Sequence, residues 1–384
     1  MRILVLTHEF PPVGGGGGHV TKDLCEGLTK RGHEIKVLTA DLLGGINEET
    51  ENQETKYELI RVPTLRRNLA RASLLAMCSF IFSSVLIGFF LIKKWKPDLI
   101  HVHFAVPAGP IAWILSKITG VPYVLTAHLG DVPGGTPEKT TGWFRFIKPF
   151  TYPIWNDAKK VIAVSQYTRQ LAHEHYQVPI EVIHNGVDTS LFKFGEIAVH
   201  QPPRIVFAGR FVPQKNPLFV IQTLANLLDY EWELVMLGDG LLFQETKEAV
   251  QEFRMENRVR QPGWVTPEEV KKEFQRSDIL FMPSLSEGLP VVGVQALASG
   301  LALLVSDIGG FSDIVEQGVN GYLCDIGSVD SFTAVLMKLL TDKVLLTKYR
   351  QESLIKSKAF DINRIVSSYE TVFMDIFKNE ILQV

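Results

Sequence analysis

Short runs of β-branched and aliphatic residues alternate with helix-length stretches along this chain, in two successive series. In the first, "RILVLT" leads to "VTKDLCEGLTKRG" and then "HEIKVLTA". "YELIRVP" leads to a long apolar segment and then "PDLIHVHF", after which come "PYVLTAH", "KKVIAVS" and "IEVIHNG". Runs that are apolar on both faces and separated by helices belong to a parallel sheet wound on both sides. Parallel neighbours need a crossover, and the crossover helices bury both faces. The rhythm pauses at "KFGEIAVHQPP" and restarts with "RIVFAGR", "WELVMLGDG", "DILFMPS" and "LALLVSD"; "NPLFVIQTLANLL" and "VVGVQALASG" are among the helices between. At 384 residues the chain exceeds one typical core and suits two. The expected fold is therefore α/β: two Rossmann-like, doubly wound parallel-sheet domains, 1–192 and 200–362, facing a cleft of the kind in which open α/β sheets take ligands. "FDINRIVSSYETVFMDIF" reads as one amphipathic terminal helix, 363–384.

Residues 73–92, "SLLAMCSFIFSSVLIGFFLI", carry no charge and are flanked by Arg66, Arg67, Arg71, Lys93, Lys94 and Lys96. About 20 apolar residues are long enough to span a bilayer. The topology argues against a span, because the segment joins two strands of one sheet and would leave them on opposite sides of the membrane. Burial on the sheet and peripheral contact with a membrane surface are the two readings left, and the basic flanks favour an anionic surface. "WFRFIKPFTYPIW" mixes aromatic and basic residues and belongs either to that surface or to the core.

A net charge of −3 gives no electrostatic case for nucleic acid. The three cysteines, Cys25, Cys78 and Cys324, are odd in number and far apart, which suits reduced thiols in a cytoplasmic protein. "MRILVLTHEF" has too short an apolar stretch for a signal peptide.

Chemistry-bearing residues sit just past the strand runs. "FAGRFVPQKNP" places Arg210 and Lys215 before a helix, where two cations can hold a diphosphate or simply face solvent. In "SLSEGLPVVGVQALASG", Glu287 precedes the helix bearing Gln295; a carboxylate there accepts hydrogen bonds from sugar hydroxyls or caps the helix. "LTAHLGD" ends a strand with His128 and then Asp131, and the histidine is either structural or set near a reacting centre. His101 and His103 alternate along a strand and the spacing supplies no third ligand, so no metal site is expected. His173 and His175 read as a solvated helix surface. The five glycines of "PPVGGGGGHV" fail the dinucleotide fingerprint: His19 or Val20 stands where the last glycine belongs, and "HEFPP" separates them from the strand. "GDGLLF" fails the same test at Phe243.

In order, "FPPVGGGGGHV", "RGHEIKVLT", "AVSQYTR", "HNGVD", "FAGRFVPQK", "GDG", "EGLP" and "SDIGG" resemble the family 4 glycosyltransferases, retaining enzymes of the GT-B fold. The resemblance covers nearly the whole chain. It implies an acceptor-side N-terminal domain, a nucleotide-sugar-binding C-terminal domain, and a terminal helix packing back on the first. By its motifs Gly14 and Gly15 admit the donor phosphate close to backbone, Arg210 and Lys215 bind the diphosphate, and His128 lies near the transferred sugar. Glu287 takes the sugar-contacting place of the family's two glutamates, while Gln295 stands in the second, which meets the ribose. Gly238, Asp239, Val265, Gly288, Leu289 and Pro290 complete the implied donor site, and His128, Glu287, Arg210 and Lys215 the catalytic set. The resemblance implies no metal and no cofactor beyond the nucleotide-diphosphate sugar, with a glycan or lipid-linked acceptor. The alternatives are a small soluble acceptor, or an inactive sugar-nucleotide-binding protein, which the loss of the second glutamate prompts. Gly16, Gly17 and Gly18 replace side chains common in the family, and are expected in a loop that orders on donor binding.

Overall fold

A computed structural model describes residues 1–46, 57–69, 72–136, 144–192 and 197–382, without the side chains of 144–146 and 381. The chain divides into two compact units, Met1–Gly186 with Ile362–Val384, and Val187–Asp361.

In the first unit β1 (Arg2–Leu6), β2 (Glu34–Ala40), β3 (Glu58–Val62), β4 (Leu99–His103), β5 (Tyr123–Ala127), β6 (Lys160–Ala163) and β7 (Ile180–Val182) form one sheet. Its order is β3-β2-β1-β4-β5-β6-β7, and the pairs are parallel. The chain starts in the middle and winds outward first one way, then the other. β1 and β4 are therefore adjacent strands whose connections leave in opposite directions, which opens a crevice beyond their carboxyl ends. Period-two alternation divides β1 between two cores. Leu4 and Leu6 join Phe80, Ile92, Leu115 and Trp155 on one face; Ile3 and Val5 join Leu24, Leu28, Ile365, Tyr369 and Phe373 on the other.

Helices flanking this sheet include α1 (Gly16–Lys30), α2 (Leu74–Trp95), α3 (Ala108–Thr119), α4 (Phe144–Asn156) and α5 (Gln166–His173). The long apolar segment is α2, the crossover from β3 to β4, so it stays with one sheet. The aromatic stretch divides: Trp155 is core and stacks on Tyr176 at 4.3 Å, whereas Phe150 is exposed. Trp143 lies outside the described residues. The terminal helix, Ile362–Leu382, buries Ile365, Val366, Tyr369, Val372 and Phe373 in this unit. Glu370 accepts from Arg31 at 2.7 Å and meets His33 at 2.9 Å, and Gly27 leaves the room that Val366 fills.

The glycine run departs from expectation. Gly16, Gly17 and Gly18 are not a loop but the first turn of α1, with Gly15 as its N-cap. The reason is space. A Cβ on Gly17 would come within 2.7 Å of the Phe104 ring, and one on Gly18 within 3.1 Å of the Glu9 backbone. The helix start is pressed against the loops after β1 and β4, and side chains would push it away.

The second unit holds β8 (Arg204–Ala208), β9 (Glu233–Leu237), β10 (Val259–Gly263), β11 (Ile279–Met282), β12 (Ala302–Ser306) and β13 (Gly321–Cys324). The order is β10-β9-β8-β11-β12-β13, parallel throughout, with the reversal between β8 and β11. Around them lie α6 (Pro217–Ala225), α7 (Phe243–Glu252), α8 (Pro267–Gln275), α9 (Val291–Ala298), α10 (Val329–Thr341) and α11 (Lys343–Ser357). Residues 187–192, placed by the sequence with the first domain, group with this unit: the Val187 N–H donates to the Phe360 carbonyl at 3.0 Å, and Thr189 Oγ1 donates to Asp361. At the amino ends of the strands buried Asp278 accepts from Arg350 and from the Arg204 N–H, tying α11 to the sheet.

Candidate functional site

In the second unit the implied donor residues gather beyond the carboxyl ends of β8 to β12, around the reversal. The chain leaves β8 through Gly209 and exposed Arg210 into a short 3₁₀ turn, Pro213–Lys215. Lys215 Nζ donates to Glu287 Oε1, in the loop after β11, with 15% and 8% of the two side chains exposed. The same two loops are joined by the Leu285 N–H donating to the Gln214 carbonyl at 2.8 Å, and by Gln214 Nε2 donating to the Ser286 carbonyl at 2.9 Å. A partly buried lysine paired with a buried carboxylate thus bridges the switch point, where ligands of open α/β sheets bind.

Neighbouring loops brace it. Gly238 has φ +130°, and a Cβ there would lie 2.0 Å from the Gly209 carbonyl oxygen, so the turns after β8 and β9 touch. The Gly238 N–H donates to the Gly263 carbonyl at 2.9 Å, which brings in the loop after β10 with partly buried Val265. Asp239 is exposed and accepts the Gly240 N–H at 2.6 Å. Gly288, Leu289 and Pro290 carry the chain from Glu287 into α9, and Leu289 and Pro290 are buried. Gly310 of "SDIGG" backs that turn, since a Cβ there would meet the Gly288 carbonyl oxygen at 2.3 Å. Gln295 is half-buried on α9, past Glu287.

In the first unit Gly14, Gly15 and His128 follow the carboxyl ends of β1 and β5, with Glu9 in the loop after β1 and Phe104, after β4, between them in the strand order. Gly14 has φ +98° and lies against Glu9, where a Cβ would come within 2.5 Å of the Glu9 side chain. Glu9 Oε2 accepts the Gly15 N–H at 3.1 Å, so this carboxylate takes the amide expected to face a phosphate at the start of α1. Phe104 has left-handed φ, +73°, a costly conformation for a bulky residue. It is held by three surfaces: Gly17, an edge contact with His8 at 4.6 Å, and a stack on His128 at 4.2 Å.

His128 is oriented by its backbone N–H donating to Asp131 Oδ2 at 2.7 Å. Its Nε2 lies 3.4 Å from His103 Nδ1, and the His103 ring is 4.3 Å from that of His101. His101 Nε2 lies 2.9 Å from Thr126 Oγ1, which in turn is 3.3 Å from the Tyr369 hydroxyl. Burial lowers these imidazoles: His128 and His8 to about 4, His101 to about 3, His103 well below its ordinary value. Near neutral pH each ring is uncharged, with the proton on one of its two nitrogens. Burial pushes Asp131 the other way, up to about 7, against backbone N–H groups that favour its ionised form.

Lys215, Glu287, Gly238 and the Gly288–Pro290 turn are thus drawn into one cluster, and Gly14, Gly15 and His128 into another. Glu9, Phe104 and His103 escaped the sequence reading. Phe104 carries no polar signal, and the "HVHF" pair was weighed only as metal ligands. Among the described residues no group of three or more His, Cys, Asp or Glu is arranged to hold a metal ion.

Two family profiles match consecutive parts of the chain: "Glycosyltransferase Family 4" over residues 14–191 and "Glycosyl transferases group 1" over residues 189–356. The N-acetyl-alpha-D-glucosaminyl L-malate synthase of Bacillus anthracis is 25% identical, over 99% of this chain and 99% of its own length. The UDP-Gal:alpha-D-GlcNAc-diphosphoundecaprenol alpha-1,3-galactosyltransferase of Escherichia coli is 27% identical, over 83% of this chain and 84% of its own. Among solved structures, a sucrose-phosphate synthase from Thermosynechococcus elongatus superposes with a TM-score of 0.86 at 18% identity, covering 99% of this chain and 100% of that one, a likeness of fold.

Proposed function

Since the chain belongs to the family 4, group 1 glycosyltransferases, a GT-B family, we propose that it is a retaining, metal-independent transferase. On this reading it moves a sugar from a nucleotide-diphosphate donor to a glycan or lipid-linked acceptor, in the cytoplasm, at the inner face of a membrane. The observation that carries the proposal is the Lys215–Glu287 pair across the β8/β11 switch point, inside the region matched by the group 1 profile.

In the fold the pair matches a partly buried ammonium with a buried carboxylate. A donor diphosphate is the stronger partner for Lys215, and with Arg210 it receives two cations near the first turns of α6 and α9. Glu287 is then released to accept hydrogen bonds from the sugar hydroxyls, and Gln295 offers an acceptor oxygen and a donor to the ribose. The sugar–phosphate C–O bond breaks with its electron pair leaving on the diphosphate, whose charge Arg210 and Lys215 stabilise. The acceptor oxygen bonds to the sugar carbon from the leaving-group side, and its proton departs with the diphosphate. His128, a neutral imidazole, serves the sugar as a hydrogen-bond partner rather than as a cation.

The lipid-linked acceptor is supported by the outward apolar face of α2. The full-length likeness to a relative named for L-malate keeps a small soluble acceptor as the second reading. A panel of nucleotide sugars read by thermal shift tests the proposal, because a ligand that binds only the native state raises Tm by mass action. One nucleoside diphosphate sugar is expected to stabilise the protein above its competitors. Stabilisation by one of them with no turnover in the presence of acceptor fractions would favour an inactive sugar-nucleotide-binding protein, and no stabilisation by any of them would overturn the donor reading. Proton NMR of the product is expected to show the donor's anomeric configuration retained.

A further inference from the structure

We propose that α2 is an in-plane anchor that docks this protein on an anionic membrane surface. The inference stands independently of the transfer chemistry. α2 buries one residue in four, Ala76, Phe80, Ser84, Gly88 and Ile92, and this stripe packs on the sheet and α3. A crossover helix with so narrow a buried stripe ordinarily turns a polar face outward. Here the outward face is Leu75, Phe82, Leu86 and Phe90, with 71%, 74%, 53% and 64% exposed. Half-exposed Leu65 extends it, held to the helix by its N–H donating to Ser79 Oγ at 2.9 Å. Isolated exposed apolar residues are ordinary, but large apolar side chains from Leu75 to Phe90 on one helix mark a contact surface.

Charge identifies the occupant. No acidic residue occurs between Ala72 and Pro97, and Lys93, Lys94 and Lys96 stand exposed at the end of the row, with exposed Arg67 before its start. A second copy of the chain fits poorly: a two-fold contact brings the face onto itself, so every charge on it meets another cation. A bilayer with anionic headgroups satisfies both halves, since the leucines and phenylalanines enter the acyl boundary while the lysines stay among the phosphates. Spanning is excluded because β3 and β4, at the two ends of α2, belong to one parallel sheet in register with β2 and β1.

Cys78 gives a probe without engineering. It is exposed on α2, whereas Cys25 and Cys324 are buried. An environment-sensitive fluorophore on Cys78 is titrated with phosphatidylcholine vesicles, with or without phosphatidylglycerol, and unlabelled protein is floated with the same vesicles. The expected result is a blue shift and flotation with the anionic vesicles, weakened by salt. Each cation near such a surface changes partitioning by about fivefold, so K93Q/K94Q is expected to weaken binding by more than about tenfold. F82S/F90S is expected to abolish both signals without lowering Tm, because both rings face outward. Absence of both signals with anionic vesicles would overturn the proposal. Equal binding to neutral vesicles would overturn it too, as would a vesicle-free dimer that F82S/F90S dissociates. None of these readouts requires a donor or an acceptor, so failure here and failure of the transferase reading are separate results.

Discussion

The histidines below the carboxyl ends of β1, β4 and β5 make a residue-scale prediction about pH. His8, His101 and His128 take up protons near pH 6.5 when unfolded but only at about 4 or lower in the fold, and burial holds His103 well below its ordinary value too, so their contribution is present above 6.5 and lost on acidification. Asp131 works oppositely, holding its proton up to about 7 in the fold against 3.8 when unfolded. Between about pH 4 and 6.5 the unfolded state therefore binds more protons than the fold, and the stability of the N-terminal unit is expected to fall steadily as the pH is lowered through that window. Denaturant melts at stepped pH check this, and a flat profile from 6.5 to 4 would refute the buried neutral array. Lys215→Met is expected to destabilise the C-terminal unit by about 3 kcal/mol when no nucleotide is added, because it strands the Glu287 carboxylate. Glu287→Gln, which keeps an acceptor for Lys215 Nζ, is expected to cost less, and the same melts compare the two. At this scale, motif order placed Lys215 and Glu287 correctly at strand ends, but not their pairing, because 72 residues separate them.

At the scale of elements, glycine marks contact more than freedom. Gly17→Ala gains helix propensity of about 1 kcal/mol but drives a methyl into Phe104, whose ring stacks on His128. Turnover is expected to fall about tenfold or more while Tm changes by only a few degrees; near-normal turnover would mean that Phe104 does not position His128. Gly27→Ala is expected to cost about 1–3 kcal/mol by pushing Val366 and the terminal helix off α1, with the same readout. The strands legible in the sequence were those with apolar residues on both faces, such as β4 and β5, which are buried throughout. The two edge strands were missed for different reasons: β10, "VRQPG", is half-exposed and shows too few apolar residues for the pattern to register, and β13, "GYLC", is only four residues long. The glycine run misled for a physical reason: composition reports the entropy such a segment can lose, but not the tertiary contacts that fix it.

For the whole molecule, each of two parallel sheets reverses its strand order, at β1/β4 and at β8/β11, and the residues singled out by motif order follow the carboxyl ends of strands around those reversals. If the cations alone carry the leaving diphosphate, a chelator such as EDTA is expected to leave turnover unchanged, and loss restored by a divalent ion would contradict metal independence. The unit boundary at 186/187 escaped sequence reading because it is drawn by main-chain contacts of Val187 with Phe360 and Asp361, which no local pattern encodes. The most direct measurement is turnover of the nucleotide sugar selected by thermal shift, in wild type, Lys215→Ala and Glu287→Ala, each checked as folded by its melt. Loss of at least about a hundredfold in both variants, with nucleotide stabilisation weakened in Lys215→Ala, is the predicted result. Unchanged turnover in both would contradict the assignment of the β8/β11 crevice as the donor site.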